Sequence, residues 1–455
     1  MKKTVYITIS DGEVSKNILR TDVFRLLVEK AAVVLLVSPS KVRYFQDEFG
    51  NRAHIEPMPA AAHPSIEEYF SDLFLYSVPT ESILIKIRHS YASGGSRIGK
   101  WVKMMLWFLG HLPLYRWFFR TAYQRMPDRS FDDLFRRIPP DVIFAANLTS
   151  MEDARLLRAA MRRSVLTIGM PKGWDNLTLK TFLPIFPDRL LVQTSAMKED
   201  AMFLGYPGIR IAVVGFPKFD LYADEAHESR DMFLQRFGFD PAKKCILYAG
   251  AGDQLAPHDE EILRDLLEAI EKGEIHSAPT VIVRPHPKYT YRSEMVPKRD
   301  FWALDVPGTK RNQGSDFEFT IDDVMHLRSS LQHTDLLIHT ASTLGVEAAI
   351  FDTPMITLAY DGDTQVPRDL STGRYYRYTH MQRVIETGGM KVVHSRAELI
   401  TAVNQYLENP GLDHKGRVRL VDENAHTIDG MAGMRVAHEI LDTLGAAREV
   451  EGTSL

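Results

Sequence analysis

A histidine between two prolines stands where a predicted strand ends. Residues 280–283 form a β-branched apolar run that predicts the strand, and Arg284 and His286 follow it directly. The flanking prolines stiffen the loop and remove backbone donors. A guanidinium and an imidazole in this place, with Lys288 behind them, suit a phosphate or diphosphate. The alternative is a turn with charges at the surface.

Hydroxyl side chains stand between another predicted strand, residues 335–339, and the helix after it. Thr340, Ser342 and Thr343 occupy this junction. Backbone N–H groups and the helix dipole favour an anion there. Glu347 comes one turn later, where a carboxylate can accept hydrogen bonds from ribose hydroxyls. The alternative is an N-cap at Ser342 with an exposed glutamate.

A glycine pair, Gly250 and Gly252, follows the strand predicted over residues 245–249. Small residues let backbone N–H groups approach a phosphate. The pair is a weak signal by itself because glycines after strands are common. The chain has no Gly-Lys-Ser/Thr phosphate loop and no GxGxxG, so a nicotinamide-binding fingerprint is not supported.

Two loops in the first half carry polar side chains that can face a ligand. Asp11 and Glu13 follow the first predicted strand. Asp11 can act there as a general base, or it can cap a helix in a simple turn. Trp174, Asp175 and Asn176 form a polar and aromatic loop. Such a loop binds a polar ligand or locks two elements together.

Residues 97–126 combine large apolar side chains with charges that are all basic. This composition suits the headgroup region of an anionic leaflet. The alternative is a buried helical hairpin, bent at Pro113, with its basic ends in solvent. The residues predicted to contact a membrane are Trp101, Trp107, Arg116, Trp117, Phe118 and Arg120.

Strand and helix patterns alternate on both sides of residue 217, which predicts an α/β protein with parallel sheets. We expect two Rossmann-like domains facing across a cleft, with an extra aromatic and basic helical insertion in the first. The predicted divisions are an acceptor domain over 1–217 with the insertion at about 65–137, a donor domain over 218–430, and a helix and tail over 431–455.

Bulk properties exclude several classes of protein. The 455 residues carry a net charge of −4, which gives no general attraction to nucleic acid. Cys245 is the one cysteine, so no disulfide forms within the chain, as expected in a reducing compartment. The chain lacks HExxH and CxxC, so no metal site is expected. Residues 4–10 predict a strand and not a signal peptide, and the apolar run 104–115 is too short to span a bilayer.

Four motifs together resemble a known superfamily. Arg-Pro-His-Pro begins at Arg284, and Ser-Thr-x3-Glu-Ala begins at Ser342. Trp-Asp-Asn-Leu-Thr-x-Lys begins at Trp174, and Gly-x-Pro-x-Phe-Asp begins at Gly215. The set, spread over roughly 140–360, resembles GT-B glycosyltransferases. It is similar to a bacterial branch that serves surface-polysaccharide assembly, near the CDP-glycerol glycerophosphotransferase-like proteins.

The resemblance implies a catalytic role for three side chains. Arg284 and His286 would face the donor diphosphate or leaving group, and Asp11 would stand where inverting members keep their base. GT-B enzymes generally need no bound metal, because helix dipoles and basic side chains stabilise the departing diphosphate. We therefore expect neither a cofactor nor a metal ion.

The resemblance also implies donor contacts and shows departures from two groups. Thr340, Ser342 and Thr343 would bind phosphate, and Glu347 would hold the donor ribose. Glycerophosphotransferases typically show Asp-Tyr-Ser-Ser, whereas this chain has a His-Thr-Ala-Ser-Thr sequence that begins at His339. The Asp-Ser-Gly-Gly-x-x-Glu-Glu pattern of nucleotide-sugar 2-epimerases is also replaced.

From these motifs we expect a glycosyltransferase that moves a sugar from a nucleotide-sugar donor to a glycan or lipid-linked acceptor. Its setting would be cell-surface polysaccharide or glycoconjugate synthesis, in the cytoplasm or at the inner face of the membrane. No nucleic-acid partner is expected. The alternatives are transfer of a polyol phosphate, epimerisation of a UDP-sugar, and a non-catalytic GT-B-like scaffold at an anionic membrane.

Overall fold

The computed structural model describes residues 2–223, 228–287, 296–306, 309–310 and 317–452. The chain divides into two compact units. The first unit contains residues 1–87, 95–223 and 428–455, and the second contains residues 88–94 and 224–427. The division after residue 223 lies six residues beyond the boundary expected from sequence.

The first unit is built on a parallel sheet with strand order β3-β2-β1-β4-β5-β6-β7. Two of its central strands, residues 32–37 and 142–145, are continuous apolar runs, as expected where helices cover both faces of a sheet. The strands are β1 Thr4–Ile9, β2 Ala32–Val37, β3 His54–Pro57, β4 Val142–Ala145, β5 Leu166–Gly169, β6 Arg189–Val192 and β7 Ile211–Val213.

Helices pack on both faces of this sheet and form a hydrophobic core on each face. Along β1, Tyr6 packs into one core, whereas Val5 and Ile7 pack into the other. The helix α5 continues from the first unit into the second. The helices are α1 Gly12–Leu19, α2 Asp22–Lys30, α3 Val42–Phe49, α4 Pro64–Tyr76, α5 Glu81–Ala92, α6 Arg97–Leu109, α7 Pro113–Arg125, α8 Asp132–Arg137, α9 Met151–Met161, α10 Asn176–Leu179, α11 Ser195–Phe203 and α12 Asp220–Ala223.

The second unit contains another parallel sheet, with strand order β10-β9-β8-β13-β14-β15. A short antiparallel pair, β11 and β12, stands apart from it. The strands are β8 Cys245–Gly250, β9 Thr280–Pro285, β10 Trp302–Leu304, β11 Thr309–Lys310, β12 Phe317–Glu318, β13 Leu336–His339, β14 Met355–Leu358 and β15 Lys391–Val393. The helices are α13 Arg230–Gln235, α14 Asp259–Glu271, α15 Ile321–His333, α16 Leu344–Ile350, α17 Thr379–Glu386, α18 Arg396–Glu408 and α19 His414–Asn424.

The last helix, α20 (Ala432–Gly452), belongs to the first unit. Its residue Ile440 shares a buried cluster with Val23 of α2. The carboxylate of Asp220 accepts hydrogen bonds from the backbone N–H groups of Ala432, at 2.9 Å, and Gly433, at 2.6 Å. These bonds satisfy donors that a helix start leaves unpaired, so they fix where α20 begins.

The aromatic and basic segment forms a helical hairpin of α6 and α7. The second helix, α7, begins at Pro113. The prediction that Arg116 and Arg120 contact a membrane is wrong, because both side chains are buried in the first unit. Arg116 donates to the carbonyl of Gly110, and Arg120 donates to the carbonyl of Leu183 at 3.0 Å. Carbonyl oxygens thus accept from both guanidinium groups, and that of Arg120 also lies 3.8 Å from the centre of the Phe186 ring.

Trp107 also lies on the inner side of the hairpin, where its indole N–H donates to the carbonyl of Thr80 at 2.8 Å. Trp101, Trp117 and Phe118 are exposed, at 66%, 58% and 57% of their surfaces. The hairpin therefore has a basic and aromatic inner face and an apolar outer face. No helix in the described part of the chain is long and apolar enough to cross a bilayer.

A buried ion cluster ties the insertion to the sheet. The Arg158 guanidinium on α9 donates to Glu67 of α4 at 2.6 Å and to Asp128 at 3.1 Å. Arg158 is only 1% exposed. Removal of one partner from such a cluster leaves a buried charge without compensation.

We therefore expect Arg158→Met to lower the free energy of unfolding by about 3–5 kcal/mol. Urea denaturation followed by circular dichroism measures the change. The matched control is Arg136→Ala, because Arg136 is 76% exposed in its 3.5 Å pair with Asp133. That variant should lose less than about 1 kcal/mol. Equal losses of unfolding free energy in the two variants would show that the buried cluster stabilises the fold no more than an exposed ion pair does.

Candidate functional site

Three adjacent strands of the second unit end at the same edge of the sheet. The order β9-β8-β13 places Ala249 opposite both Arg284 and His339. Ligands of parallel α/β sheets bind beyond the carboxyl ends of the strands. The Gly250–Gly252 loop, His286 and the 340–343 loop all begin at this edge, although they are far apart in sequence.

The glycine loop after β8 turns towards a buried carboxyl group. Gly252 has a positive φ of 80°, a conformation that favours glycine. Asp259, the first residue of α14, accepts a hydrogen bond from the Tyr248 hydroxyl at 2.9 Å. Burial raises the pKa of Asp259 to about 7, against the lowering effect of Tyr248 and of the Gly252 and Ala251 backbone amides. The glycine loop therefore lies next to a buried acidic side chain, that of Asp259.

Arg284 does not project as a free cation from the end of β9. Its guanidinium pairs with Asp305, and both side chains are buried. The other carboxylate oxygen of Asp305 lies 2.9 Å from Nε2 of His326. Burial opposes ionisation of Asp305, yet His326 and Arg284 hold its pKa below the ordinary value. This Arg284–Asp305–His326 network anchors the end of β9.

His286 comes two residues after Arg284 and is half-buried. Its position after β9 and between two prolines agrees with the geometry expected from sequence. Lys288, predicted to bind the donor, lies outside the described residues. The catalytic roles of Arg284 and His286 stay predictions.

The loop after β13 is held by hydrogen bonds from its backbone N–H groups to side-chain hydroxyls. Ala341 has a positive φ of 39°, and its N–H donates to the Tyr376 hydroxyl at 3.1 Å. The hydroxyl of Ser342 accepts from the N–H of Leu344 at 3.2 Å, while Thr343 provides no side-chain cap to α16. Thr343 is exposed and Thr340 is buried. The hydroxyls of Ser342 and Thr343 are therefore more accessible than that of Thr340, and the binding of phosphate by all three stays a prediction.

Glu347 is buried within α16, with 3% of its surface exposed. The alternative of an exposed glutamate is therefore wrong. Its assignment to the donor ribose stays a prediction.

His339 is a site residue that sequence reasoning noted only as a departure from a motif. It ends β13, its Nδ1 accepts from the Ser342 N–H at 3.3 Å, and it is 1% exposed. Burial lowers the pKa of His339 to about 4, so its imidazole is neutral near pH 7. A β-carbon on Gly345 would stand 3.0 Å from its Nε2, so this glycine makes room for the ring. The apolar strand before His339 was the signal for its burial.

In the first unit, Asp11 caps α1. Its Oδ1 accepts from the backbone N–H groups of Glu13 at 3.0 Å and Val14 at 3.2 Å. Its Oδ2 pairs with Lys172 at 2.7 Å. These contacts support the capping alternative, and the general-base role stays a prediction.

The loop with Trp174, Asp175 and Asn176 is tied into the first unit. The Asn176 amide oxygen accepts from the Gly173 N–H at 2.9 Å, and Trp174 packs against the apolar core. These contacts favour a structural lock between two elements. Its role in ligand binding stays a prediction.

In the described part of the chain, no group of three or more His, Cys, Asp or Glu side chains is placed to hold a metal ion. Metal-independent chemistry remains an expectation from the motifs.

The comparisons with known proteins agree with this architecture. A family model described as CDP-Glycerol:Poly(glycerophosphate) glycerophosphotransferase matches residues 188–442. No curated protein matches the chain. The family match confirms the resemblance to bacterial transferases of this kind.

Solved structures similar to the chain cover almost its full length. S. aureus MnaA with UDP has 12% identity, covers 97% of both chains and has a TM-score of 0.58. A putative UDP-N-acetylglucosamine 2-epimerase from Listeria monocytogenes has 14% identity, 98% coverage of both chains and a TM-score of 0.56. CalG4, the calicheamicin glycosyltransferase, has 13% identity, 98% coverage of both chains and a TM-score of 0.52. At such low identity these likenesses establish the fold alone, and they confirm the predicted GT-B fold.

The buried Asp259 makes stability depend on pH. An unfolded aspartate has a pKa near 3.9, so between about pH 4 and 7 the folded chain keeps a proton that the unfolded chain has lost. Stability should therefore fall as pH rises through this window. Asp259→Asn removes the titration and keeps an acceptor for Tyr248. We expect it to raise the thermal midpoint by at least about 2 °C more at pH 8 than at pH 5.

Differential scanning calorimetry at the two pH values measures this shift. Asp240→Asn is the control, because Asp240 is an exposed aspartate of the same unit. The same increment at both pH values in Asp259→Asn would show that the carboxyl is ionised in the folded state throughout.

Proposed function

This chain belongs to the CDP-glycerol:poly(glycerophosphate) glycerophosphotransferase family, and we propose that it transfers glycerol phosphate from a CDP-activated donor to an acceptor hydroxyl. The observation that carries the proposal is the family match over residues 188–442. This range contains the glycine loop, His286 and the 340–343 loop. The family thus supports a transferase, and the site supplies groups suited to a diphosphate.

The proposed reaction is a substitution at phosphorus. The acceptor hydroxyl oxygen attacks the phosphorus that bears glycerol, and the bridging P–O bond to the second phosphate breaks. CMP leaves, and the proton of the hydroxyl passes to the imidazole of His286. An imidazole suits this step because it can take up a proton near neutral pH.

Arg284 takes a positioning role in this proposal. Its guanidinium is already paired with the buried Asp305, so direct contact with phosphate would require that pair to open. By anchoring the end of β9, the Arg284–Asp305–His326 network holds His286 two residues further on. Ser342 and Thr343 supply hydroxyl donors to the phosphates, and Glu347 accepts from the ribose.

A second candidate is the glycosyl transfer expected from the sequence. The observation that favours it is His339, which replaces the aspartate typical of the glycerophosphotransferase motif. Its neutral, buried imidazole changes the charge at the end of β13. Assays with CDP-glycerol and with nucleotide sugars in parallel distinguish the two.

His286→Ala tests the proposed base. We expect kcat with CDP-glycerol to fall about 10²–10⁴-fold, while the Kd of CDP-glycerol, measured by calorimetry, changes little. His276→Ala is the control, because His276 is exposed and precedes β9 at its opposite end. A variant His286→Ala with unchanged kcat would remove the proposed base.

We also propose that the outer face of the α6–α7 hairpin docks on an anionic membrane. Trp101, Trp117 and Phe118 are exposed together with further apolar side chains of the hairpin. The chain carries no acidic residue between Glu81 and Asp128. Arg97 and Arg125 are exposed at the two ends of the hairpin, and an apolar, aromatic face with basic ends suits the headgroup region of an anionic leaflet. The exposed large apolar residues of this outer face are Ile98, Trp101, Val102, Met105, Phe108, Leu112, Leu114, Trp117 and Phe118.

The double variant Trp101→Ser, Trp117→Ser tests this contact. Burial of one large apolar side chain contributes about 1.5–3 kcal/mol, so we expect at least about tenfold weaker sedimentation with phosphatidylglycerol vesicles. Ile209→Ser, at an 89% exposed site outside the hairpin, is the control. Unchanged vesicle binding with an altered oligomeric state would identify the outer face as a contact between copies of the chain.

A further inference from the structure

One tyrosine hydroxyl, that of Tyr376, joins the loop after β13 to the end of β14. It donates its single proton to the carbonyl of Leu358 at 2.6 Å. It therefore accepts from its other two neighbours, which are the backbone N–H of Ala341 at 3.1 Å and the hydroxyl of Thr357 at 2.7 Å. Tyr376 is only 5% exposed, so these bonds form away from solvent.

The Thr357 hydroxyl completes this contact from the neighbouring strand. Thr357 of β14 pairs with His339 of β13 in the parallel sheet, which places it beside the start of the loop. Its Oγ1 also lies 3.4 Å from the backbone N of Ala341. Two buried hydroxyls, those of Tyr376 and Thr357, thus face one N–H group, and we call them the loop clamp.

Ala341 needs such a restraint because its backbone is strained. Its φ of 39° lies in the left-handed region, where the β-carbon crowds the following carbonyl oxygen. If Ala341 turned to a negative φ, the N–H of Ser342 would leave Nδ1 of His339, which it contacts at 3.3 Å. The Ser342 hydroxyl, which accepts from the N–H of Leu344 at 3.2 Å, would turn as well. The conformation of Ala341 therefore sets the direction of the Ser342 hydroxyl.

The segment that carries Tyr376 is itself held in place. Tyr376 lies in a short 3-10 helix, Thr372–Arg377. The carboxylate of Asp361 accepts from the backbone N–H of Thr372 at 3.0 Å and from its hydroxyl at 2.9 Å. Both residues are buried. The clamp hydroxyl of Tyr376 thus stands on a fixed support, as an orienting group requires.

We propose that Tyr376 is a positioning residue for the donor phosphates. The loop clamp keeps Ala341 in the left-handed conformation, and Ala341 in turn orients the hydroxyl of Ser342 towards the phosphates. Tyr376 acts through the loop and does not touch the donor itself. This inference rests on the proposed transferase function, in which Ser342 binds phosphate, and it names the group that orients this contact.

Tyr376→Phe removes the hydroxyl and keeps the ring. We expect the Kd of CDP-glycerol, measured by calorimetry, to rise about tenfold, which is the order expected for one lost hydrogen bond. Hydrogen exchange over residues 340–346, followed by mass spectrometry, should become faster. Tyr406→Phe is the matched control, because Tyr406 is a similarly buried tyrosine of the same unit whose hydroxyl pairs with Asp413. The control should change neither quantity.

A second substitution separates positioning from a general loss of packing. Glycine adopts the left-handed conformation without the steric cost of a β-carbon, so Ala341→Gly should not need the clamp. Added to Tyr376→Phe, it should recover at least about threefold of the lost affinity, whereas a tyrosine that only stabilises the fold would allow no recovery. If Tyr376→Phe does not fold, Thr357→Val removes the other clamp hydroxyl and should weaken CDP-glycerol binding about threefold.

The outcomes separate this inference from the proposed function. Unchanged exchange over 340–346 in Tyr376→Phe would overturn the clamp. Faster exchange with an unchanged Kd, or a weaker Kd that Ala341→Gly does not recover, would overturn the positioning role. If the unaltered chain binds no CDP-glycerol while Tyr376→Phe still speeds exchange over 340–346, the clamp stands and the donor proposal fails.

Discussion

The parallel pairing of β9, β8 and β13 decides which side chains of the second unit act together. Because the register places Ala249 opposite both Arg284 and His339, three loops leave the sheet at the same level. Their residues are almost a hundred positions apart in sequence. The same constraint operates in the first unit, where the ends of β5 and β1 bring Lys172 to 2.7 Å from Asp11. Each unit thus gathers its polar groups at one sheet edge.

Buried carboxyl groups then hold the strand ends and loops of the second unit in place. Asp305 holds Arg284 against the end of β9, and Asp259 lies beneath the glycine loop. These carboxylates compensate donors that would otherwise be buried without partners. The buried groups hold the ends of the strands in place, whereas His286, Ser342 and Thr343 at the same edge are less buried.

Much of this fold was predictable because apolar runs end at polar loops in a parallel sheet. That pattern indicated the strand before His286 and the junction at Ser342. It did not indicate that Arg120 turns inward, because its carbonyl partners at residues 182 and 183 come from a distant loop. The packing of α20 in the first unit was not predictable for the same reason: its contacts are with residues that are distant in sequence. Periodicity describes one helix at a time, whereas burial depends on what packs against it.

The central claim is transfer of glycerol phosphate, and the fate of one phosphorus atom tests it most directly. CDP-glycerol is labelled with ³²P in the phosphate attached to glycerol, incubated with the protein and an acceptor, and the products are separated. The account predicts that the label enters the acceptor and that unlabelled CMP is released. Label recovered in released CDP would mean cleavage on the glycerol side of the diphosphate, as in glycosyl transfer, and would contradict the account.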